Sequence, residues 1–153
     1  MITAIGNPVY DYIKTQKINP EGRVLSGCST NAALALAKMG AETRLIGAIG
    51  RDYQDDFKRH LDKLGVDYRI VPSDESGGFS LIYYDDYGNR TLDLLGRAAD
   101  IGTVDPSWYD DSEAVLIGPI LGEVSFESIG VIRSSFTGLF FCDPQGLIRN
   151  ADE

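Results

Sequence analysis

Ser26-Gly27-Cys28-Ser29-Thr30-Asn31 runs straight into Ala32-Ala33-Leu34-Ala35-Leu36-Ala37-Lys38-Met39-Gly40, and then into the apolar Thr43-Arg44-Leu45-Ile46-Gly47-Ala48-Ile49-Gly50. No other stretch restricts the fold so strongly. A glycine turn and a capping hydroxyl, Ser29 or Thr30, open a helix, and Gly40 can end it in a left-handed conformation. The alanines let that helix lie close to a sheet. The strand beyond it closes on Gly50-Arg51-Asp52.

Four apolar runs read as buried parallel strands: Thr3–Gly6, Arg44–Ile49, Ala114–Gly118 and Leu139–Cys142. A second helix is expected over Tyr53–Leu64, with Tyr53, Phe57, Leu61 and Leu64 on one face, Asp52 as its cap and Gly65 as its stop. A third runs from about Ser125 to Ser135 with Phe126, Ile129, Ile132 and Phe136 inward. Trp108 and Tyr109 follow Asp105-Pro106 on a short helix against the core. Strands alternating with helices predict an α/β, doubly wound parallel sheet. One region departs from the alternation. Phe79–Tyr84 and Arg90–Leu95 flank Asp85-Asp86-Tyr87-Gly88-Asn89, the pattern of a β-hairpin. With Arg23-Val24-Leu25 it can form a small separate sheet.

The chain has 153 residues, enough for one domain with a real core. Its net charge of −9 argues against nonspecific nucleic-acid binding and against an anionic membrane surface. No apolar run approaches the about 20 residues of a membrane span, and the start does not read as a signal peptide. Two cysteines, Cys28 and Cys142, fit a reducing compartment, so a cytoplasmic protein is expected. There is no Walker-type loop, no Gly-x-Gly-x-x-Gly fingerprint, and no Cys/His spacing for zinc. The lone histidine, His60, falls on the polar face of the second helix.

The order of these motifs resembles the amino-terminal half of the ribokinase-like (PfkB) carbohydrate kinases. The resemblance rests on Ala4-Ile5-Gly6-Asn7-Pro8-Val9-Tyr10-Asp11, on Gly27 with Asn31, and on Gly50-Arg51-Asp52. It continues through Leu61-Asp62-Lys63-Leu64-Gly65-Val66, Ser76-Gly77-Gly78-Phe79 and Gly88-Asn89-Arg90. It implies a ribokinase-like sheet, present in part, with a small β lid formed near residues 12–27 and 77–97. Ser26 stands where the family usually has its first glycine, and Gly77 where it usually has Thr.

The resemblance also implies substrate-binding roles for Asp11, Gly27 and Asn31. A carboxylate accepts several hydroxyl hydrogen bonds at once, and an amide offers donor and acceptor together. Glycine lets a substrate approach the backbone without a Cβ in the way. On position alone Asp11 also reads as a turn residue, and Asn31 as a solvent-facing residue of a capped helix. Cys28 reads as a small buried thiol or as a neighbour of the ligand. Val9 occupies a position where some sugar kinases place a second polar contact. Gly96-Arg97-Ala98-Ala99-Asp100 superficially resembles the family's Gly-Ala-Gly-Asp anion hole, but it lies where the chain returns from the lid. No catalytic residue and no metal ligand is assigned.

The activity implied is ATP-dependent phosphorylation of a hydroxyl on a sugar, sugar phosphate or nucleoside, with ATP and Mg2+ as cofactors. Asp143–Glu153 resembles the loop after a mid-sheet strand, about halfway through such a kinase. The carboxyl-terminal half that holds the anion hole, the base and the Mg-ATP platform is expected to be missing, and this chain to be inactive alone. Leu139–Cys142 then becomes a sheet edge, favouring self-association or pairing with a complementary half. The alternative is a non-catalytic ligand-binding or regulatory module on the same scaffold.

Overall fold

The computed structural model describes residues 1–149. In chain order the elements are β1 (Ile2–Ile5), β2 (Val9–Lys14), β3 (Val24–Ser26), α1 (Cys28–Lys38), β4 (Thr43–Gly50), α2 (Gln54–Leu64), β5 (Asp67–Ser73), β6 (Gly78–Tyr83), β7 (Arg90–Gly96), β8 (Ala114–Ile117), α3 (Phe126–Ser135), β9 (Leu139–Cys142) and α4 (Gln145–Ile148). Five strands form one sheet in the order β5-β4-β1-β8-β9, with every pairing parallel. The other four form a smaller mixed sheet, β3-β2-β6-β7, in which β2 runs parallel to β6 and the other two pairings are antiparallel.

The central strands are mostly apolar because both of their faces are covered. On one face Ala4, Leu45 and Ile49 pack with Ala33 of α1 and with Phe57 and Leu61 of α2. On the other, Ile5, Ile46, Val115 and Ile117 pack with Ile132 of α3, Phe136 and Tyr109. The short helix expected after Asp105-Pro106 is a 3-10 turn over Pro106–Trp108 capped by Asp105, and Tyr109 follows it into the core. At the amino-terminal end of the sheet, the buried Arg44 guanidinium reaches Asp67 at 2.7 Å, Asp111 at 2.7 Å and the Trp108 carbonyl at 2.8 Å. That single side chain fastens β4 to β5 and to the segment entering β8.

The four expected parallel strands all form, and the structure adds to them. Asp67–Ser73 is a fifth parallel strand, and Val9–Lys14 is a strand of the small sheet. Leu139–Cys142 is not buried: it is the edge strand, and Leu139 and Phe141 are 65% and 53% exposed. Two of the expected caps fail. Neither Ser29 nor Thr30 caps α1; Gly27 holds the cap position without a side-chain bond. The Ser29 hydroxyl instead donates to the carbonyls of Ile5 (2.8 Å) and Gly118 (3.1 Å), stitching the helix to the ends of β1 and β8. Asp52 does not cap α2, which starts from Tyr53, but Gly65 stops it at φ 67°. In α3 the Ser125 hydroxyl accepts the Ser128 N–H, whereas Phe126 points outward at 74% exposure. Of the expected loop from Asp143 to Glu153, residues 145–148 form the short α4, and residues 150–153 lie outside the described residues.

Candidate functional site

In the large sheet the chain leaves β1 toward β4 on one side and meets β8 on the other, so the strand order reverses beside β1. In open parallel sheets, ligands bind beyond the carboxyl ends of the strands at such a reversal. Here the start of α1 and the segments after β8 and β9 meet the small sheet around a cleft of about 590 Å3. Asp11, Gly27 and Asn31, the three residues singled out from sequence, all line it.

Asp11 comes from β2 and is 6% exposed. Its Oδ1 accepts the Phe79 N–H of β6 at 2.9 Å, so the carboxylate bridges two strands of the small sheet. Burial pushes its carboxyl above the ordinary range, against the pull of the Phe79 N–H, the Ser26 hydroxyl, Arg149 and Arg23. Ser26, which departs from the family pattern, therefore supports this carboxylate and also lines the cleft.

Gly27 has φ 118° and ψ 148°, a conformation that is essentially reserved for glycine. An added Cβ would also sit 3.0 Å from the Asn7 carbonyl oxygen and 3.2 Å from Thr30 Oγ1. Backbone geometry therefore demands this glycine in addition to any need for substrate approach. Gly27→Ala is expected to cost about 1–3 kcal/mol and to shift the first turn of α1, which carries Asn31. A thermal melt and an acceptor titration would show it; an unchanged melt would mean that the turn relaxes freely. Asn31 is exposed to the cleft on that turn, its own N–H donating to the Gly27 carbonyl at 2.8 Å.

Cys28 is half-buried: it packs against the Val9–Phe79–Ile120 cluster and also lines the cleft. Its thiol donates to Asp143 Oδ2 at 3.1 Å. Burial first, and then Asp143, push the thiol up to about 12, so it remains a protonated donor and not a nucleophile. The same contact, helped by the Gln145 N–H, holds the Asp143 carboxyl below its usual range. Val9 presents an apolar, nearly buried wall.

Three charged lining residues escaped the sequence reading: Asp143, Arg90 and Arg149. Arg149 lies over the Phe79 ring at 5.2 Å and donates to the Ile120 carbonyl at 3.2 Å. Arg90 lies over the Tyr83 ring at 5.3 Å on the lid hairpin. Asp143 was findable, because it stands immediately after a parallel strand, where such sheets place their functional side chains. The arginines carried no local signal.

Two motifs anchor the site without lining it. Asp52 of Gly50-Arg51-Asp52 accepts the Ser76 hydroxyl at 2.7 Å and the Ser76 N–H at 3.1 Å, while Gly50 N–H donates to Ser76 Oγ at 3.0 Å. This ties the end of β4 to the root of β6. In Gly96–Asp100, Arg97 N–H is taken by Glu75 at 3.2 Å and Ala99 N–H by Ser73 at 2.9 Å. Those N–H groups bind protein, so the segment is a lid return and not an anion hole. His60 is exposed, and Asp85 organises the hairpin tip by accepting from Tyr87 and Asn89. Among the described residues no three His, Cys, Asp or Glu side chains cluster as a bound metal would require.

A parallel sheet whose carboxyl ends face a small β lid, with a buried carboxylate between them, defines a ribokinase-type sugar kinase fold. Residues 2–116 match the model of the pfkB family of carbohydrate kinases, and the chain belongs to that family. It is 27% identical over 107 residues to a fructokinase from Klebsiella pneumoniae, covering 65% of this chain and 34% of that one. A pyrophosphate-dependent kinase of the ribokinase family, complexed with a pyrophosphate analog and myo-inositol, superposes with a TM-score of 0.80 at 23% identity, covering 97% of this chain and 51% of that one. Thermotoga maritima ribokinase gives a TM-score of 0.74 at 21% identity, covering 96% and 53%. Burkholderia thailandensis nucleoside kinase in complex with ADP-inosine gives 0.72 at 22%, again covering 96% and 53%. The chain thus spans about half the length of these solved relatives. No described helix is long and apolar enough to cross a membrane.

Proposed function

We propose that the chain supplies the acceptor-binding part of a carbohydrate kinase. In this reading Asp11, Gly27 and Asn31 hold the hydroxyls of a sugar, sugar phosphate or nucleoside. The observation that carries it is their convergence, from β2 and from the start of α1, on one cleft at the strand-order reversal. Asp11 accepts hydrogen bonds from hydroxyls in its ionised form, and the N–H of Phe79 fixes its orientation. Asn31 reads a neighbouring hydroxyl by donating and accepting together. The lid strands β6 and β7 shield the acceptor from water.

The phosphoryl donor in this reading is ATP with Mg2+, which would supply the transferred group and neutralise its charge. The described side chains form no metal-ligand cluster and no glycine-rich phosphate loop, so they do not by themselves build that site. The chain alone is therefore expected to bind acceptor without turning it over. The rest of a kinase domain, or a second copy of the chain, would cover the exposed β9 edge at Leu139 and Phe141.

The test is isothermal titration against fructose, ribose, myo-inositol, their phosphates and inosine, with Asp11→Ala alongside. Saturable binding that is lost in Asp11→Ala is the expected result. Binding of none of these compounds, or binding indifferent to Asp11, overturns the assignment of the site. ATP-dependent product formation by the purified chain overturns its inactivity.

A further inference from the structure

On the other side of β2 lies a second concavity, a groove of about 360 Å3 between β3, α1 and α2. Successive side chains of a strand point to opposite faces. Asp11 accordingly lines the acceptor cleft, while its neighbour Tyr10 lines this groove. Tyr10 and Tyr53 stack there with ring centroids 4.0 Å apart and planes 16° from parallel, and Leu34 extends the apolar wall. Tyr10 is 3% exposed, yet its hydroxyl has no hydrogen-bond partner among the described residues. A buried donor without an acceptor is costly, and it is the kind of group a ligand satisfies. Burial, followed by the nearby Asp56 carboxylate, pushes the phenol well above its usual range, so it remains a donor.

The lining of the groove is basic, in a chain whose net charge is −9. Arg23 and Lys38 supply the positive charge, and His60 also lines the groove. Neither Arg23 nor Lys38 is held in an ion pair among the described residues. The one acidic group, Asp56, is already met by Arg59 at 2.8 Å. His60 Nδ1 donates to the Asp56 carbonyl at 2.8 Å, which orients the imidazole at the edge of the groove.

We propose that this groove is a binding site for a small aromatic anion, distinct from the acceptor cleft, and that its occupancy is felt at Asp11 through β2. The anionic group lies between Arg23 and Lys38, and the ring packs beside the Tyr10–Tyr53 stack. The link to the cleft is short. Tyr10 N–H donates to the Gly77 carbonyl at 2.9 Å, and the next residue along β2 takes the Phe79 N–H at 2.9 Å. A shift of β2 therefore reaches the lid strand and the Asp11 carboxylate together.

His60 is the only histidine, so its imidazole proton resonance is a unique reporter. Phenyl phosphate titrated into the chain is expected to shift that resonance saturably and to move the Phe79 amide with it. Lys38→Glu, a change at an exposed helix end, should weaken binding about tenfold, the usual effect of losing one charge-assisted contact. Tyr10→Phe keeps the ring stack and should also weaken it. A response that does not saturate, that ignores Lys38→Glu, or that is no stronger than the response to inorganic phosphate overturns the site. Saturation at His60 with an unmoved Phe79 amide overturns the coupling.

Discussion

Asp11→Asn is expected to make the protein more stable and to abolish acceptor binding. The folded chain holds the Asp11 proton more tightly than the unfolded chain does, because burial disfavours the charged form. Ionised Asp11 therefore subtracts stability once the pH has risen through its raised folded value, and subtracts nothing at pH values where the group is protonated in both states. Asn keeps an oxygen to accept the Phe79 N–H, now 2.9 Å from Asp11 Oδ1, and removes the buried charge. The melting temperature should rise by about 2–4 °C, which is what ~1 kcal/mol gives a chain of this size. The difference between variant and parent should shrink as the pH falls toward the acid range. Calorimetry across pH, paired with acceptor titration, measures both halves. A lower melting temperature at neutral pH would mean that the carboxylate is structurally favourable, contrary to its burial. Under the proposed role, Asp11 costs the fold and serves a ligand, which is the ordinary stability–function conflict of a binding site.

The second large effect is expected at Glu123, which is 4% exposed and receives backbone N–H groups from three residues. Asn7 donates at 2.9 Å, Ile120 at 2.9 Å to both oxygens, and Leu121 at 2.8 Å. Asn7 in turn accepts the Ala48 N–H at 2.7 Å and donates to the Ala99 carbonyl at 2.9 Å. One carboxylate thus closes the ends of β1 and β8, and through Asn7 it reaches β4 and the lid return. Glu123→Ala leaves three N–H groups without acceptors, each worth about 1–3 kcal/mol when buried. A loss of about 3–5 kcal/mol is expected, comparable to breaking a buried charged contact, out of a total that is about 5–15 kcal/mol for domains in general. Glu123→Gln keeps one acceptor oxygen and should lose roughly half as much. Urea unfolding of both variants decides it. A loss under about 1 kcal/mol in Glu123→Ala would mean that water replaces the carboxylate.

Glu123 gave no sign of this role in sequence, since a single Glu after Leu121-Gly122 looks like a surface residue. What could be read was whatever local pattern dictates. Arg44–Ile49 and Ala114–Gly118 announced themselves because strands covered on both faces are uninterrupted apolar runs. Asp67–Ser73 did not, because an edge strand alternates and this one contains Pro72. The caps failed for a related reason. Ser29 and Asp52 have the right chemistry for a helix start, but tertiary partners compete for them: the Ile5 and Gly118 carbonyls in one case, Ser76 in the other. Phe126 fitted the helical stripe and yet faces outward. In the cleft, Asp11, Gly27 and Asn31 were legible through motif order, and the structure brings them together. Arg90 and Arg149 come from segments far apart in the chain, so only the fold could place them beside Asp11.

The parallel pairing of β2 with β6 has a consequence in time. The Asp11–Phe79 bond spans 68 positions, so no local hairpin can bring its partners together. Closing a loop of that length precedes any reward from the contacts it makes, and such contacts form late. While the chain is being synthesised, β2 must wait beside a partly built sheet until β6 has left the ribosome. The cleft is therefore among the last features to mature, and an arrested nascent chain shorter than β6 would have β1, α1 and β4 but no cleft wall from the small sheet's β6 and β7.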